Sequence, residues 1–503
     1  GFVSLGCSKN RIDTEVMLHT LATAGYEITG DETEADVVII NNCAFIESAT
    51  QEAINTIIEI GALKEEGKLK YLIVAGCLAQ RYQQEILDEL PEVDAALGTG
   101  SYDEIVEAVE QALGKQEKRA FFAEREMSCL TGDRVLLTPQ YSAYLRIAEG
   151  CNNCCAYCII PALRGKYRSR PMDEILVEAK ELSDSGVKEL LVIAQDITRY
   201  GIDLYGKYSL AELLHRITEE TSIPWIRLLY CYPDKITDEL IEEFKTNPRL
   251  LKYIDLPLQH ISDRMLKAMN RHGNGQTIRD VIAKLRTVEG MVIRTTFIVG
   301  FPGETEEEFQ DTLKALETVR FDMLYSFIYS PRKGTPAAEM EQIPDVVKGN
   351  RFDRLLAVQN AIAAEMSAQK EKALAARLLA EKLDVSRQTV SGWESGKVIP
   401  AADKVLALSE LFNVSTDFLL RDTEEYVTAV IPEEFEEDTQ YEESVQFEEE
   451  PIPSEVIPAP VYEYTEPAKK KLPVKKIVAA VISIILVIAL IIPIPTGLYK
   501  KWF

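Results

Sequence analysis

Ala148-Glu149-Gly150-Cys151-Asn152-Asn153-Cys154-Cys155-Ala156-Tyr157-Cys158-Ile159-Ile160-Pro161 is the stretch on which the reading of this chain turns. Cys151, Cys155 and Cys158 stand at spacings of four and three residues in a loop that follows an apolar, strand-like run. Thiolates gathered in this way suit a 4Fe-4S cubane. Three ligands leave one iron open, and that iron can chelate the amino and carboxylate groups of S-adenosylmethionine. Tyr157, just before the last cysteine, can shield the cluster. A zinc site wants four ligands, and adjacent cysteines rarely ligate one metal in good geometry, so Cys154 reads as a bystander. Disulfides are the other use for nine cysteines, but four of them fall within eight residues, too tight for ordinary bridges. No secretory leader is recognisable at the start, which also favours reduced metal ligation.

Working outward, apolar runs recur near 145–148, 189–194, 225–229, 253–256, 292–298 and 322–329, with amphipathic stretches between them. Six strands alternating with helices predict an open (β/α)6 barrel over residues 137–365. Thr296-Phe297-Ile298-Val299-Gly300-Phe301-Pro302-Gly303-Glu304 ends one strand and turns through Gly300 and Gly303 into a helix. Such a turn lets backbone approach a nucleotide-sized cofactor, and Glu304 is placed to meet a ribose or an amine. Gln195, Asp196, Gln259 and His260 fall at strand ends facing the same barrel mouth; Gln195 reads as a cofactor contact, and Asp196, Gln259 and His260 as substrate contacts.

Residues 1–125 show the same alternation, with strands at Phe2–Leu5, Val37–Ile40 and Tyr71–Ala75, and predict a separate parallel-sheet α/β domain. Gly1 in place of an initiator Met implies that the first strand begins upstream. Cys7, Cys43 and Cys77 each fall about two residues past a strand's carboxyl end, and in a parallel sheet those ends share one edge. Three thiolates converging there could hold a second cubane; three small buried hydrophobes are the alternative. Gly6 and Gly76 beside two of them favour close approach.

Hydrophobic residues make up 46% of the 503, enough for several cores, and the length predicts three or more domains. The net charge of −26 is concentrated: residues 422–467 carry 16 acidic and no basic residues, so charge describes a tail rather than a substrate. Residues 366–421 read as all-helical, 422–476 as a disordered acidic linker, and 477–498 as one transmembrane helix. Lys469–Lys471, Lys475 and Lys476 before that span would hold the upstream domains, and so the catalytic chemistry, on the cytoplasmic side, anchored to the inner face of the membrane.

Residues 1 to about 368 resemble the methylthiotransferases, radical S-adenosylmethionine enzymes that insert a methylthio group at an unreactive C–H bond. The resemblance rests on Ser4-Leu5-Gly6-Cys7-Ser8-Lys9-Asn10, Asn41-Asn42-Cys43 and Ala75-Gly76-Cys77 together with the Cys151 loop. Gln195-Asp196-Ile197-Thr198-Arg199-Tyr200-Gly201, Arg227-Leu228-Leu229-Tyr230-Cys231-Tyr232-Pro233 and Tyr329-Ser330-Pro331 resemble the branch that modifies a ribosomal protein, rather than the tRNA-modifying branch. It implies two 4Fe-4S clusters. One on Cys151, Cys155 and Cys158 would cleave S-adenosylmethionine to a radical, with an electron from a reductant such as flavodoxin or ferredoxin. One on Cys7, Cys43 and Cys77 would carry the methylthio group. The implied target is the β-carbon of an aspartate in small-subunit ribosomal protein twelve.

Members of that family normally end in a small β-barrel, TRAM, that helps dock the substrate, and no such strand pattern follows residue 365. Instead Leu379-Ala380-Glu381-Lys382-Leu383-Asp384-Val385-Ser386-Arg387-Gln388-Thr389-Val390-Ser391-Gly392-Trp393-Glu394 resembles the Cro/repressor-type helix-turn-helix. Leu378–Leu383 would be the first motif helix and Ser386–Glu394 the recognition helix, so residues 376–397 could meet DNA through Arg387, Gln388 and Thr389. Against this, residues 365–421 hold eight acidic and eight basic residues, so no basic field exists. Ala376 also stands where such domains often place a phosphate-contacting Gln. A rival function is a membrane-tethered transcription regulator fused to an inactive enzyme.

Overall fold

A computed structural model of the chain describes residues 1–114, 119–123, 133–395 and 397–412, with 414, 416 and 419. The acidic linker expected at 422–476 and the span expected at 477–498 lie outside the described residues. Among the described residues no helix is long and apolar enough to cross a membrane. The chain divides into two compact units, Gly1–Met366 and Ser367–Phe503.

The first unit holds two sheets. Strands β1 (Phe2–Ser4), β2 (Val37–Asn42), β3 (Tyr71–Gly76), β4 (Ala95–Leu97) and β5 (Arg119–Phe121) form one, all parallel and paired in chain order. Its central strands, Val-Val-Ile-Ile-Asn-Asn and Tyr-Leu-Ile-Val-Ala-Gly, are buried along nearly their whole length, as a parallel sheet covered on both faces requires. The expectation of three strands misses β4 and β5, which are too short to show a period. β2 and β3 also run further than expected, so Cys43 and Cys77 follow them immediately rather than two residues on.

The second sheet carries β6 (Ser142–Arg146), then, after a short hairpin of β7 (Ala148–Glu149) with β8 (Arg168–Ser169), strands β9 (Glu189–Ile193), β10 (Trp225–Leu228), β11 (Leu250–Gln259), β12 (Val292–Val299) and β13 (Met323–Ile328). Its six strands are parallel in the order β6-β9-β10-β11-β12-β13, with β6 and β13 left as edges, which is the open barrel expected. The first strand is corrected: it ends at Arg146, because Ala148–Glu149 leaves the sheet to pair as β7 with β8, on the far side of the Cys151 loop. Gly150 permits this. Its φ is +81° and an added Cβ would stand 2.1 Å from the Lys166 carbonyl oxygen, a conformation and a contact only glycine tolerates.

In the second unit the expected first motif helix, Leu378–Leu383, is corrected: it is the end of a continuous helix, Asp345–Leu383. Helices Arg387–Glu394 and Ala402–Phe412 follow. Ser386 starts the former, accepting a hydrogen bond from the Thr389 amide at 3.1 Å. Ala376, Ala380 and Val390 are buried together, with Leu379, Val385 and Trp393 packed around them. Ala376 is thus core, whereas Arg387 and Gln388 are exposed and Thr389 is half-buried, its hydroxyl 2.8 Å from that of Ser386.

Candidate active site

The carboxyl edge of the first sheet brings Cys7, Cys43 and Cys77 together, and helix Ser8–Thr23 organises them. An added Cβ on Gly6 would lie 2.6 Å from the Cys43 Cβ, so the β1 and β2 loops are in contact. Asn10, wholly buried, donates to the Asn42 carbonyl at 2.6 Å, and its Oδ1 stands 3.7 Å from Cys7 Sγ and 3.9 Å from Cys77 Sγ. Burial pushes the Cys77 thiol up to about 12, against the pull of the Arg164 guanidinium, and raises Cys43 as well. Asn41 Oδ1 and Asn42 Nδ2 are buried without a hydrogen-bond partner among the described residues.

The second set closes over an apolar floor of Met265, Met269, Ile298, Phe301 and Tyr329. The loop is strapped by the Cys151 amide to the Gly165 carbonyl at 3.1 Å and by the Ala156 amide to Met269 at 2.8 Å. The Ile160 amide donates to Cys158 Sγ at 3.5 Å. Arg271, 3.9 Å from Cys155 Sγ, donates to the Tyr157 hydroxyl at 3.0 Å and stacks 4.2 Å from the Tyr232 ring centroid. Burial pushes Cys151 up to about 11 and Cys158 up to about 12. Cys154 is exposed and set aside in a left-handed conformation, φ 48°.

A buried ionic network joins the two sets. Arg164 reaches Asn10 Oδ1 at 2.5 Å and Asp13 Oδ2 at 2.7 Å, Arg146 reaches Asp13 Oδ1 at 2.5 Å and Glu149 Oε2 at 3.2 Å, and Gln195 donates to Glu149 Oε1 at 2.5 Å. Burial pushes the Asp13 carboxyl up, but the Arg164 and Arg146 guanidiniums outweigh it and hold it below its ordinary value. Sequence reasoning missed Asp13, Arg146 and Arg164. Asp13 lies on a charged buried face of Ser8–Thr23 that its sequence pattern gives as a solvent face, and Arg146 and Arg164 stand at the ends of a strand and a short helix.

Of the remaining expected residues, Gln195 and Gln259 each leave a buried Oε1 without a partner among the described residues. Gln259 does so from a left-handed backbone, φ 71°. Three others are engaged within the chain. Glu304 accepts from the Gly300 amide at 2.8 Å, Arg351 at 2.7 Å and His260 Nε2 at 3.1 Å, so its carboxylate braces the Gly300–Gly303 turn from within. His260 is fully buried, and its Nδ1 accepts from the Ile261 and Ser262 amides, leaving no ring nitrogen for a substrate. Asp196 accepts from Asn153 at 2.9 Å and from Thr198, and so positions the cysteine loop.

Among the described residues no three His, Cys, Asp or Glu side chains surround one point as ligands of a single metal ion would. A cubane offers each thiolate its own iron, so its ligand sulfurs stand apart.

Comparison with known proteins adds three findings. Residues 1–98 match the family described as Uncharacterized protein family UPF0004, residues 145–316 the Radical SAM superfamily, and residues 370–419 a Helix-turn-helix family. The chain is 51% identical over 375 residues to the ribosomal protein uS12 methylthiotransferase RimO of Thermoanaerobacter sp. (strain X514), covering 74% of this chain and 85% of that protein. It is 49% identical over 362 residues to the protein of that name from Geobacter sulfurreducens, covering 71% and 80%. In fold it resembles the radical S-adenosylmethionine methyltransferase TsrM of Kitasatospora setae, at 14% identity and a TM-score of 0.52 over 65% of this chain and 74% of that one.

Proposed function

The chain belongs, through its first 370 or so residues, to the uS12 methylthiotransferase family of radical S-adenosylmethionine enzymes, and on that premise we propose that it transfers a methylthio group to the β-carbon of an aspartate in ribosomal protein uS12. The observation that carries this reading is the presence of two three-cysteine sets, one at the carboxyl edge of the first sheet and one in the loop after β7, joined by the Asn10–Arg164–Asp13–Arg146–Glu149–Gln195 network. One set would serve for radical generation; a second needs another purpose, and sulfur donation is one.

The cofactors are S-adenosylmethionine and 4Fe-4S iron–sulfur. We assign a cluster to Cys151, Cys155 and Cys158 and an auxiliary one to Cys7, Cys43 and Cys77. The fit is supported by the buried thiols, by cationic or amide donors beside both sets, and by the orphaned Gln195 and Gln259 oxygens at the barrel mouth. When bound, these groups supply a carbon-centred radical at the open iron and a sulfur-donating centre at the auxiliary one. The chain's own share is to hold the thiols, exclude water with the Met265–Tyr329 floor, and keep the two centres in register through Arg164 and Arg146. An electron donor such as flavodoxin or ferredoxin is part of the proposal.

The unit from Ser367 supports a separate reading. Arg387 and Gln388 are exposed at the start of a capped helix, so we propose that the motif at 376–397 meets a duplex through these two side chains, without a basic field.

Anaerobic reconstitution tests the enzyme reading. About eight irons per chain should fall to about four in Cys7/Cys43/Cys77→Ala and in Cys151/Cys155/Cys158→Ala. Mass spectrometry of uS12 after turnover should record one added methylthio group. An unchanged iron count in the first variant removes the auxiliary cluster, and unmodified uS12 with full iron removes the substrate.

A further inference from the structure

Lys9 is 5% exposed, and none of the described residues gives its ammonium an ion pair or a hydrogen-bond acceptor. Its Nζ stands 3.0 Å from the centroid of the Tyr230 ring. A buried ammonium resting on one aromatic face keeps unused N–H donors, and such a charge is costly unless an anion meets it. Tyr230 is fixed for this purpose. It adopts a left-handed conformation, φ 64°, held by its amide to Asp255 Oδ2 at 3.0 Å, and its hydroxyl lies 3.5 Å from Ser8 Oγ.

The surroundings carry an excess of positive charge. Asp255, 2% exposed, is the nearby carboxylate, and Arg294 already faces it at 3.5 Å. Arg227 is paired with Glu189 at 2.6 Å and adds no free charge. Arg294 stands within ion-pair distance of that carboxylate, whereas Lys9 acts on it only through its field and forms no ion pair, so the Lys9 ammonium keeps its donors for another anion. It sits in the first turn of helix Ser8–Thr23, whose N-terminus makes no side-chain cap hydrogen bond and adds its positive end.

Its location is between the two cysteine sets. Lys9 is two residues after Cys7, and the Tyr230 carbonyl accepts the Ile197 amide at 3.2 Å, next to Asp196, which anchors the Cys151 loop through Asn153. A group bound by Lys9 would thus lie where radical generation and sulfur donation must meet.

We propose that the Lys9 ammonium, seated on Tyr230 between the two cysteine sets, binds the side-chain carboxylate of the substrate aspartate. That carboxylate is one bond from the β-carbon, so fixing it fixes the C–H bond to be broken. The proposal rests on the function argued above. It makes Lys9 a substrate-positioning residue and predicts a preference for aspartate over asparagine at the target.

The test uses the full chain, reconstituted anaerobically, and two peptides: the uS12 segment carrying the target aspartate, and the same segment with asparagine there. Peptide affinity is read by fluorescence anisotropy with S-adenosylmethionine present, and iron is counted for each variant. Lys9→Gln should weaken the aspartate peptide about 10- to 100-fold, the span of a charge-assisted hydrogen bond. It should leave the asparagine peptide unchanged, and Lys9→Arg should restore most of the loss. Equal affinity of wild type and Lys9→Gln for the aspartate peptide overturns the proposal. So does a fall in iron in Lys9→Gln, which would make Lys9 part of cluster assembly. Lys9-dependent binding of RNA without peptide selectivity overturns it in favour of a phosphate contact. If the wild type, with full iron, binds neither peptide and leaves uS12 unmodified, the underlying function fails instead.

Discussion

The two cysteine sets are built in opposite ways. Cys151, Cys155 and Cys158 come from one eight-residue loop, and their positions depend on local straps such as Gly150 and the Cys151 amide. Cys7, Cys43 and Cys77 come from three strand ends and are positioned only when the whole parallel sheet has formed. Their supporting cations differ in the same sense. Arg271 beside the loop meets neutral acceptors, the Tyr157 hydroxyl and the Pro257 carbonyl, whereas Arg164 beside the dispersed set meets a buried carboxylate. Hydrogen bonds between neutral or singly charged partners, some of them long-range, hold one set, and long-range pairing of opposite charges secures the other.

The largest expected effect is kinetic and would sharpen the likeness between the sets. In the metal-free chain Cys77 and Cys158 are pushed up to about 12, so at pH 8 each should alkylate about 1,000-fold or more slowly than a free cysteine. Exposed Cys7 and Cys154 should label first, as peptide mapping after iodoacetamide would record. The sign of the linkage follows. Thiols whose folded pKa is raised stabilise the metal-free fold below their unfolded value near 8.5 and lose that contribution as pH rises toward 12. Denaturation midpoints should therefore fall with pH across that window. Rapid labelling of Cys77 at pH 8 would mean that the dispersed set is open.

The next effect would break the comparison. Arg164→Met leaves Asp13 short of a cation in a wholly buried position, and breaking a buried pair costs about 3–5 kcal/mol. Arg271→Met removes hydrogen bonds to neutral groups only and should cost about 1–3 kcal/mol. Urea denaturation of the two variants decides it. Equal losses would mean that charge pairing gives the dispersed set no special support.

Smaller still is Glu304→Gln, which keeps the shape of the brace but removes its charge from Arg351 and Gly300. We expect about 1.5–3 kcal/mol lost in stability, with S-adenosylmethionine affinity changed mainly through the turn. Unchanged stability with a large loss of affinity would restore Glu304 as a direct cofactor contact.

These cases also indicate what the sequence could disclose. The barrel strands and the Cys151 loop were legible because their signals are local: an apolar run, then a spacing. Convergence of Cys7, Cys43 and Cys77 was legible because strand ends of a parallel sheet share an edge. Asp13, Arg146 and Arg164 were not, because a charge is read as exposed unless its partner is known, and these partners lie 133 and 151 residues away. The inward pairing of His260 and Glu304 was not legible for a related reason. Position at a strand end places a polar residue near the barrel mouth, yet each found its partner in the other and turned inward.

The smallest effect tests whether the unit from Ser367 answers to local rules, as the Cys151 loop does. Among its described residues Ala376, Ala380 and Val390 are buried together, and Ser386 caps the helix that contributes Val390. Ser386→Ala removes the acceptor for the Thr389 amide and should cost about 1 kcal/mol. The loss should appear as faster amide hydrogen exchange over residues 387–394. Iron content and uS12 modification should stay at wild-type levels, since nothing in the cysteine network involves Ser386. A fall in either would mean that the helix-turn-helix unit supports the enzyme after all, and that its place where a docking barrel is expected is functional.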